Sequence, residues 1–284
     1  MTREQKYQAF RTLHERPGAF VIPNPWNAGT ARVLTALGFE ALATTSAGYA
    51  FAVGRLDSAA GLTRDEILDN AMSIVEATDL PVSADLEDGF GRPPESCAKT
   101  IRLAADIGLV GGSIEDATGD RDDPIYEFEL AVERIAAAAE VAGHCRLMLT
   151  ARAENFLHGR PDLGDTIRRL TAFEEAGADV LYAPGLPSLD AIREVCSSVS
   201  RPVNVVMGLK GPAWSVEELA AAGVKRVSVG GAFARAALGA FMRAAREVKE
   251  RGTFAFAADA IPHAEVRRFM AEGDRSPEPD QTDS

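Results

Sequence analysis

The run VSADLEDGFG, residues 82–91, sets three acids, Asp85, Glu87 and Asp88, on the end of an apolar segment and follows them with Gly89 and Gly91. Carboxylates this close repel one another and raise their own pKa values unless a cation stands among them. Hard divalent cations want several oxygen ligands, and Mg2+ typically takes one or two carboxylates and keeps waters. The chemistry these residues point to is metal-assisted.

What would hold such acids together is legible in the alternation of the chain. Short apolar runs fall near residues 19–23, 41–45, 81–85, 111–115, 147–152, 179–184, 203–207 and 226–230. Amphipathic segments fall between them, at roughly 27–37, 63–78, 94–106, 124–142, 165–176, 188–198, 215–222 and 232–250. Strands alternating with helices imply parallel βαβ units. Thr63 with Glu66, and Ser215 with Glu218, read as capping boxes at two helix starts. Gly38, Gly108, Gly177 and Gly223 each stand where a helix ends, just before a strand, as a left-handed C′ glycine would. Eight such strands predict an α/β fold of the (β/α)8 TIM-barrel type over residues 1–255. The rival open sheet usually carries a glycine fingerprint after its first strand, and VIPNPWNAG has none. A C-terminal helical segment is expected at 256–272, and a disordered tail at 273–284.

A barrel keeps its chemistry at the carboxyl ends of its strands. Those ends carry Asn24 and Trp26, then Thr45, Ser46, Ala47, Gly48 and Tyr49 with Asp57 further along the loop. Asp85, Glu87 and Asp88 follow, then Glu115 and Asp116, Arg152 and Glu154, Tyr182, Asn204 and Gly230. Asp85, Glu87, Asp57 and Glu115 form the candidate metal shell. Arg152 suits a substrate carboxylate, which it can grip with two parallel N–H bonds. Ser46, Ala47 and Gly48 offer backbone N–H groups to an anion. A metal facing a carboxylate clamp describes a site for a small 2-oxo or 2-hydroxy acid. Arg152, Tyr49 and Glu115 make up the candidate catalytic set, with Glu154, His158 and Tyr182 as unranked further proton donors. Asp88 and Asp116 read equally well as helix caps.

Composition narrows the partners. Of 284 residues 46% are hydrophobic, enough for a sizeable core, and the net charge is −12. That balance offers no basic footprint for nucleic acid or an anionic membrane. No apolar run approaches bilayer length, and the charged N-terminus lacks a signal peptide's apolar region. Three widely spaced cysteines, Cys97, Cys145 and Cys196, argue against a disulfide framework or a zinc site. A reducing cytoplasm is the expected compartment.

Taken together, PNPWNAG, TTSAGYA, ADLEDGFG, GGSIED, LTARAENF and PVNVV, in that order along the chain, resemble the isocitrate lyase/phosphoenolpyruvate mutase superfamily. The resemblance implies a (β/α)8 barrel and Mg2+, or Mn2+ in its place, at the strand ends. It implies C–C or P–C bond chemistry beside a 2-oxo acid through an enolate. It also implies a homo-oligomer, tetramer or dimer, in which a C-terminal helix is swapped between subunits. By the same resemblance, Asp85 is the direct metal ligand and Asp57, Glu87 and Glu115 act largely through water. Trp26, Ser46, Ala47, Gly48, Arg152 and Asn204 cradle the substrate.

The chain also departs from the family pattern. The usual D-x-D-T-G reads Asp85-Leu86-Glu87-Asp88-Gly89, and the lyases' cysteine segment K-[KR]-C-G-H is missing. The loop after GGSIED reads ATGDRDDP, acidic and without the lysine of the phosphonate enzymes. The expectation is therefore a Mg2+-dependent lyase or decarboxylase that cleaves a C–C bond of a small 2-oxo or 2-hydroxy diacid. The alternatives are a phosphonopyruvate-type P–C bond enzyme and a non-catalytic 2-oxo acid binding protein.

Overall fold

A computed structural model describes residues 1–57, 61–208 and 211–271. The expected tail at 273–284 lies outside the described residues. Eight parallel strands build the barrel: β1 (Phe20–Ile22), β2 (Leu42–Ala43), β3 (Val82–Asp85), β4 (Gly111–Glu115), β5 (Met148–Arg152), β6 (Val180–Tyr182), β7 (Val203–Val206) and β8 (Arg226–Ser228). The ladder runs β1-β8-β7-β6-β5-β4-β3-β2. At the seam between β1 and β2, the Ala43 N–H donates to the Pro23 carbonyl at 3.0 Å. The protein is a (β/α)8 TIM-type barrel.

The helices are α1 (Arg3–Glu15), α2 (Ala28–Ala36), α3 (Ser46–Ala52), α4 (Arg64–Glu76), α5 (Pro94–Asp106), α6 (Phe128–Cys145), α7 (Leu163–Glu175), α8 (Leu189–Ser198), α9 (Val216–Ala221), α10 (Ala232–Arg251) and α11 (His263–Ala271). Both expected capping boxes form, at Thr63 and Ser215. Gly38, Gly108, Gly177 and Gly223 all take φ between 86° and 104°, the left-handed region that spares a glycine the Cβ clash.

Two expectations need correction. Residues 46–49, read as a loop, open α3, because the Thr45 hydroxyl caps it by accepting from the Gly48 N–H. The helix expected from 124 starts at Phe128 instead. The four residues before it pair back: Ala117 bridges Ile125, and the Tyr126 N–H donates to the Asp116 carbonyl.

The main core lies between strands and helices, with Leu86, Ile101, Ile114, Leu149 and Phe173 fully buried in it. A second cluster, including Phe10, Leu13, Phe20 and Val180, fills the amino end of the barrel under α1. Gly111 makes room for that plug, since a Cβ there would stand 2.7 Å from Phe10 Cε1. Beyond the barrel, α11 returns to α2 of its own chain, where Arg32 donates to the Met270 carbonyl. The outward face of α10 leaves Phe241 69% exposed, with Leu238 and Met242 beside it.

Candidate active site

A cavity of about 360 Å3 opens at the carboxyl ends of the strands and reaches into the barrel. Asp57, Asp85, Glu87, Glu115, Arg152, Ser46, Ala47 and Asn204 line it, as do Glu154, His158 and Tyr182. Trp26, Gly48 and Tyr49 do not. Tyr49 rides on α3 and packs against the main core, so the helix carries it off the cavity wall. The N–H of Gly48 is already committed to Thr45. Its lack of a side chain answers to packing: a Cβ would stand 2.6 Å from Thr45 Cγ2 and 3.1 Å from Trp26 Cβ.

At the mouth of the barrel, one guanidinium serves three carboxylates. Arg152 reaches Asp85 at 3.0 Å, Glu115 at 3.1 Å and Glu154 at 2.8 Å. Burial works against its charge, yet Glu154, Glu115 and Asp85 together hold its pKa well above the usual arginine range. The acids outnumber it. Burial pushes Glu87 up to about 8, helped by repulsion from Asp85, Asp57 and Asp88. Burial also raises Glu115 well above the carboxylate range, although Arg152 opposes the shift. Asp57 is raised by burial and then by Asp85. Ser46 turns inward, its hydroxyl donating to Asp85 Oδ2 at 2.9 Å and its N–H to the same oxygen at 3.3 Å.

The donor set at this mouth is all oxygen and holds more carboxyl groups than its one guanidinium can balance, which suits a hard divalent cation that would favour their ionised forms. Among the described residues no three His, Cys, Asp or Glu side chains converge closely enough to ligate one ion together. The set therefore fits a cation held directly by one or two carboxylates, with the others acting across water.

The acids are held in place from behind. The loop after β3 takes left-handed backbone at Glu87 (φ 48°), Gly89 (82°) and Phe90 (60°), which strains the two non-glycine residues. Arg134, 1% exposed, donates to the carbonyls of Asp88, Gly91 and Arg92. Arg64 donates to the Phe90 carbonyl at 3.0 Å. Asp88 caps no helix: it accepts from the Phe90 N–H and the Tyr126 hydroxyl and so staples the loop. Asp116 is no cap either. It is buried, pairs with Arg169 at 3.0 Å and accepts from the Glu154 N–H, which fixes the backbone beside Arg152. The cysteines are free: Cys97 and Cys196 lie within helices and Cys145 ends α6.

Deeper in the barrel stands a residue the sequence reading passed over. Arg226 opens β8, is 6% exposed, and lines the same cavity. Its Nε donates to Asn204 Oδ1 at 2.8 Å and its Nη2 to Thr150 Oγ1 at 3.0 Å. Its Nη1 lies 3.5 Å from His14 Nε2. His14 Nδ1 sits 2.8 Å from the Phe10 carbonyl, which only accepts, so the ring proton is on Nδ1 and Nε2 accepts from Arg226. Burial, then the Arg226 charge, pushes His14 down to about 3, so the ring is neutral. Asn204 is held at its other end by donating to Ser228 Oγ at 3.0 Å. The available signal was strand alternation: Arg226 and Ser228 share one face of β8.

Comparison with known proteins agrees with this architecture. The family model described as phosphoenolpyruvate phosphomutase matches residues 10–249. A crystal structure from Burkholderia cenocepacia J2315, provisionally named a lyase/mutase, is 59% identical, with a TM-score of 0.92 over 95% of this chain and 96% of that one. The 2-methylisocitrate lyase of Halalkalibacterium halodurans is 28% identical over 86% of this chain and 82% of that protein. A 2,3-dimethylmalate lyase structure is 26% identical, with a TM-score of 0.83 over 95% of each chain.

Proposed function

The chain belongs to the phosphoenolpyruvate phosphomutase family, within the isocitrate lyase/PEP mutase superfamily, and on that premise we propose that it is a Mg2+-dependent carbon–carbon lyase or decarboxylase acting on a small 2-oxo or 2-hydroxy diacid. The observation that carries this reading is the cluster at the barrel mouth, where Asp85, Glu115 and Glu154 share the single guanidinium of Arg152 with Glu87 close by. Lyases among the relatives, acting on methylisocitrate and dimethylmalate by their names, support the reaction class.

Asp85 would hold the cation directly, and Asp57, Glu87 and Glu115 through water. A divalent cation bound there supplies Lewis acidity beside the 2-oxo group and accepts the negative charge that develops as the C–C bond breaks. The protein's own contributions are positional. Arg152 binds and orients the substrate carboxylate, keeping its Nε bond to Glu154 while its Nη groups turn to the ligand. Ser46 sets the rotamer of Asp85, and the Arg134 and Arg64 contacts hold Glu87 in place. Loss of CO2 needs no base at carbon, so the missing cysteine segment is no obstacle. The loop after β4 brings Gly119 to the cavity and contains no lysine, which weighs against a phosphonate substrate.

The chain incubated with oxaloacetate, dimethylmalate, methylisocitrate or phosphonopyruvate, in Mg2+ or in EDTA, is followed by proton and phosphorus NMR. The expected result is Mg2+-dependent C–C cleavage of one substrate, lost in Asp85→Ala. Unchanged turnover in that variant, or turnover of phosphonopyruvate alone, overturns the reading. Assembly into the tetramer or dimer of the family is part of the proposal, and the bared apolar face of α10 supports it. Light scattering of the eluting protein checks the assembly, and a monomer at working concentration refutes it.

A further inference from the structure

We propose that the deep end of the cavity is a second anion subsite, in which Arg226, with the hydroxyls of Tyr182 and Ser228, takes the carboxylate at the far end of a diacid substrate. The inference rests on the reading above, which places the 2-oxo acid end at Arg152, and adds where the rest of the molecule goes.

Arg226 is a buried cation in neutral company. Among the described residues it forms no ion pair with any carboxylate, and its partners are an amide oxygen, a hydroxyl and a neutral imidazole. Those three contacts use three of the five N–H bonds a guanidinium offers. A buried charge without a counter-ion is costly, and such a position is usually filled by an apolar side chain or given an acid. Burial draws the Arg226 pKa down to about 10, with Tyr182 alone opposing the shift. Among the described residues no carboxylate relieves that cost, whereas a ligand carboxylate would relieve it.

The surroundings suit that ligand. Tyr182 lines the cavity, and its hydroxyl has no hydrogen-bond partner among the described residues. Ser228 lines it too, and its oxygen accepts from Asn204, which leaves its own proton free to donate. Tyr182 belongs to both ends: its ring lies 5.0 Å from the Arg152 guanidinium, and its phenol is the charge neighbour of Arg226. The strand register runs Arg152, Tyr182, Asn204, Arg226 across β5 to β8, which sets Tyr182 between the two arginines. One cation with neutral donors matches a single carboxylate. A phosphonate dianion would keep half its charge unanswered.

Two matched pairs of ligands test this. 2-Oxoglutarate and 2-oxopentanoate, and malate and 2-hydroxybutyrate, differ within each pair in the distal carboxylate. Each is titrated calorimetrically into the full chain in Mg2+, beside oxalate, which is too short to reach Arg226. The wild-type chain should prefer the diacid of at least one pair by roughly 10- to 100-fold. In Arg226→Met that preference should fall to near unity, with oxalate and the monoacid binding as before, while Arg226→Lys keeps part of it. No diacid preference in either pair overturns the subsite. So does an equal loss of diacid, monoacid and oxalate binding in Arg226→Met, because that is a structural effect. Failure of oxalate to bind the wild-type chain refutes the Mg2+/2-oxo acid reading underneath, and is told apart by that control.

Discussion

Arg152 and Arg226 stand at two ends of one cavity in opposite company. Arg152 is crowded by Asp85, Glu115 and Glu154. Arg226, at least as deeply placed, bonds among the described residues to Asn204, Thr150 and His14. The same guanidinium therefore does different work. At the mouth it is outnumbered by the acids it pairs with. At the floor it is itself the surplus. A cavity that is negative at one end and positive at the other orients a ligand before any contact is made.

The comparison predicts unequal costs. Replacing Arg152 with Met should abolish turnover, by roughly 100- to 1000-fold or more. It should also cost the metal-free chain about 3–5 kcal/mol, because three partly buried carboxylates lose their cation. Urea titration measures the cost, and added Mg2+ should restore part of it. A loss below about 1 kcal/mol would mean that the acids are already protonated or solvated.

The next effect comes from His14. Its pKa lies near 3 in the folded chain and at 6.5 when unperturbed, so between those values the unfolded chain binds the extra proton. The stability from keeping His14 neutral is fully present above pH 6.5 and is lost as pH falls toward 3. The loss should reach roughly 4 kcal/mol. His14→Phe should flatten the acid limb of the stability profile, and an unchanged limb would remove His14 from the account of the floor.

Arg226→Met should cost only about 1–3 kcal/mol, the penalty for leaving Asn204 and its neighbours short of donors. If it proves as damaging as Arg152→Met, the two arginines are structurally equivalent and the comparison fails. Tyr182→Phe should shift stability by no more than about 0.5 kcal/mol, since its hydroxyl has no hydrogen-bond partner among the described residues. Thermal melts resolve the difference, and a larger loss would reveal a partner for that hydroxyl.

The barrel was readable because two periodicities and two kinds of helix punctuation agreed. Gly38, Gly108, Gly177 and Gly223 ended helices, and Thr63 and Ser215 began them, as their chemistry dictates. The mouth of the cavity was readable because strand ends can be counted, and Asp85, Glu115 and Arg152 each close a strand. What escaped notice depended on contacts between distant segments. Residues 46–52 are only seven long, and with Gly48 and two aromatics among three alanines they give no clear helical period; the Thr45 cap starts the helix. That turn is what removes Tyr49 from the wall. Arg226 was missed because it lies at the start of its strand, where no site was sought, and its length carries the charge inward. Asp88 and Asp116 sat where caps belong, but the Phe90 N–H and the Tyr126 hydroxyl claimed the first and the buried Arg169 of α7 the second.

The pairing of Phe20 with Arg226 joins the first and the last strand of the chain, neighbours in the ladder although more than 200 residues apart in sequence. Contacts between such distant parts of a chain form late, because the long loop between them must close first. The mouth, built from β3, β4 and β5, can take shape while the chain is still being made. The floor cannot, since it needs His14 from the first helix and Arg226 from the last strand at once. The polypeptide can thus build its acidic rim early, whereas Arg226 meets His14 and Asn204 only when synthesis has passed the eighth strand, so the basic floor is the last part of the cavity to form.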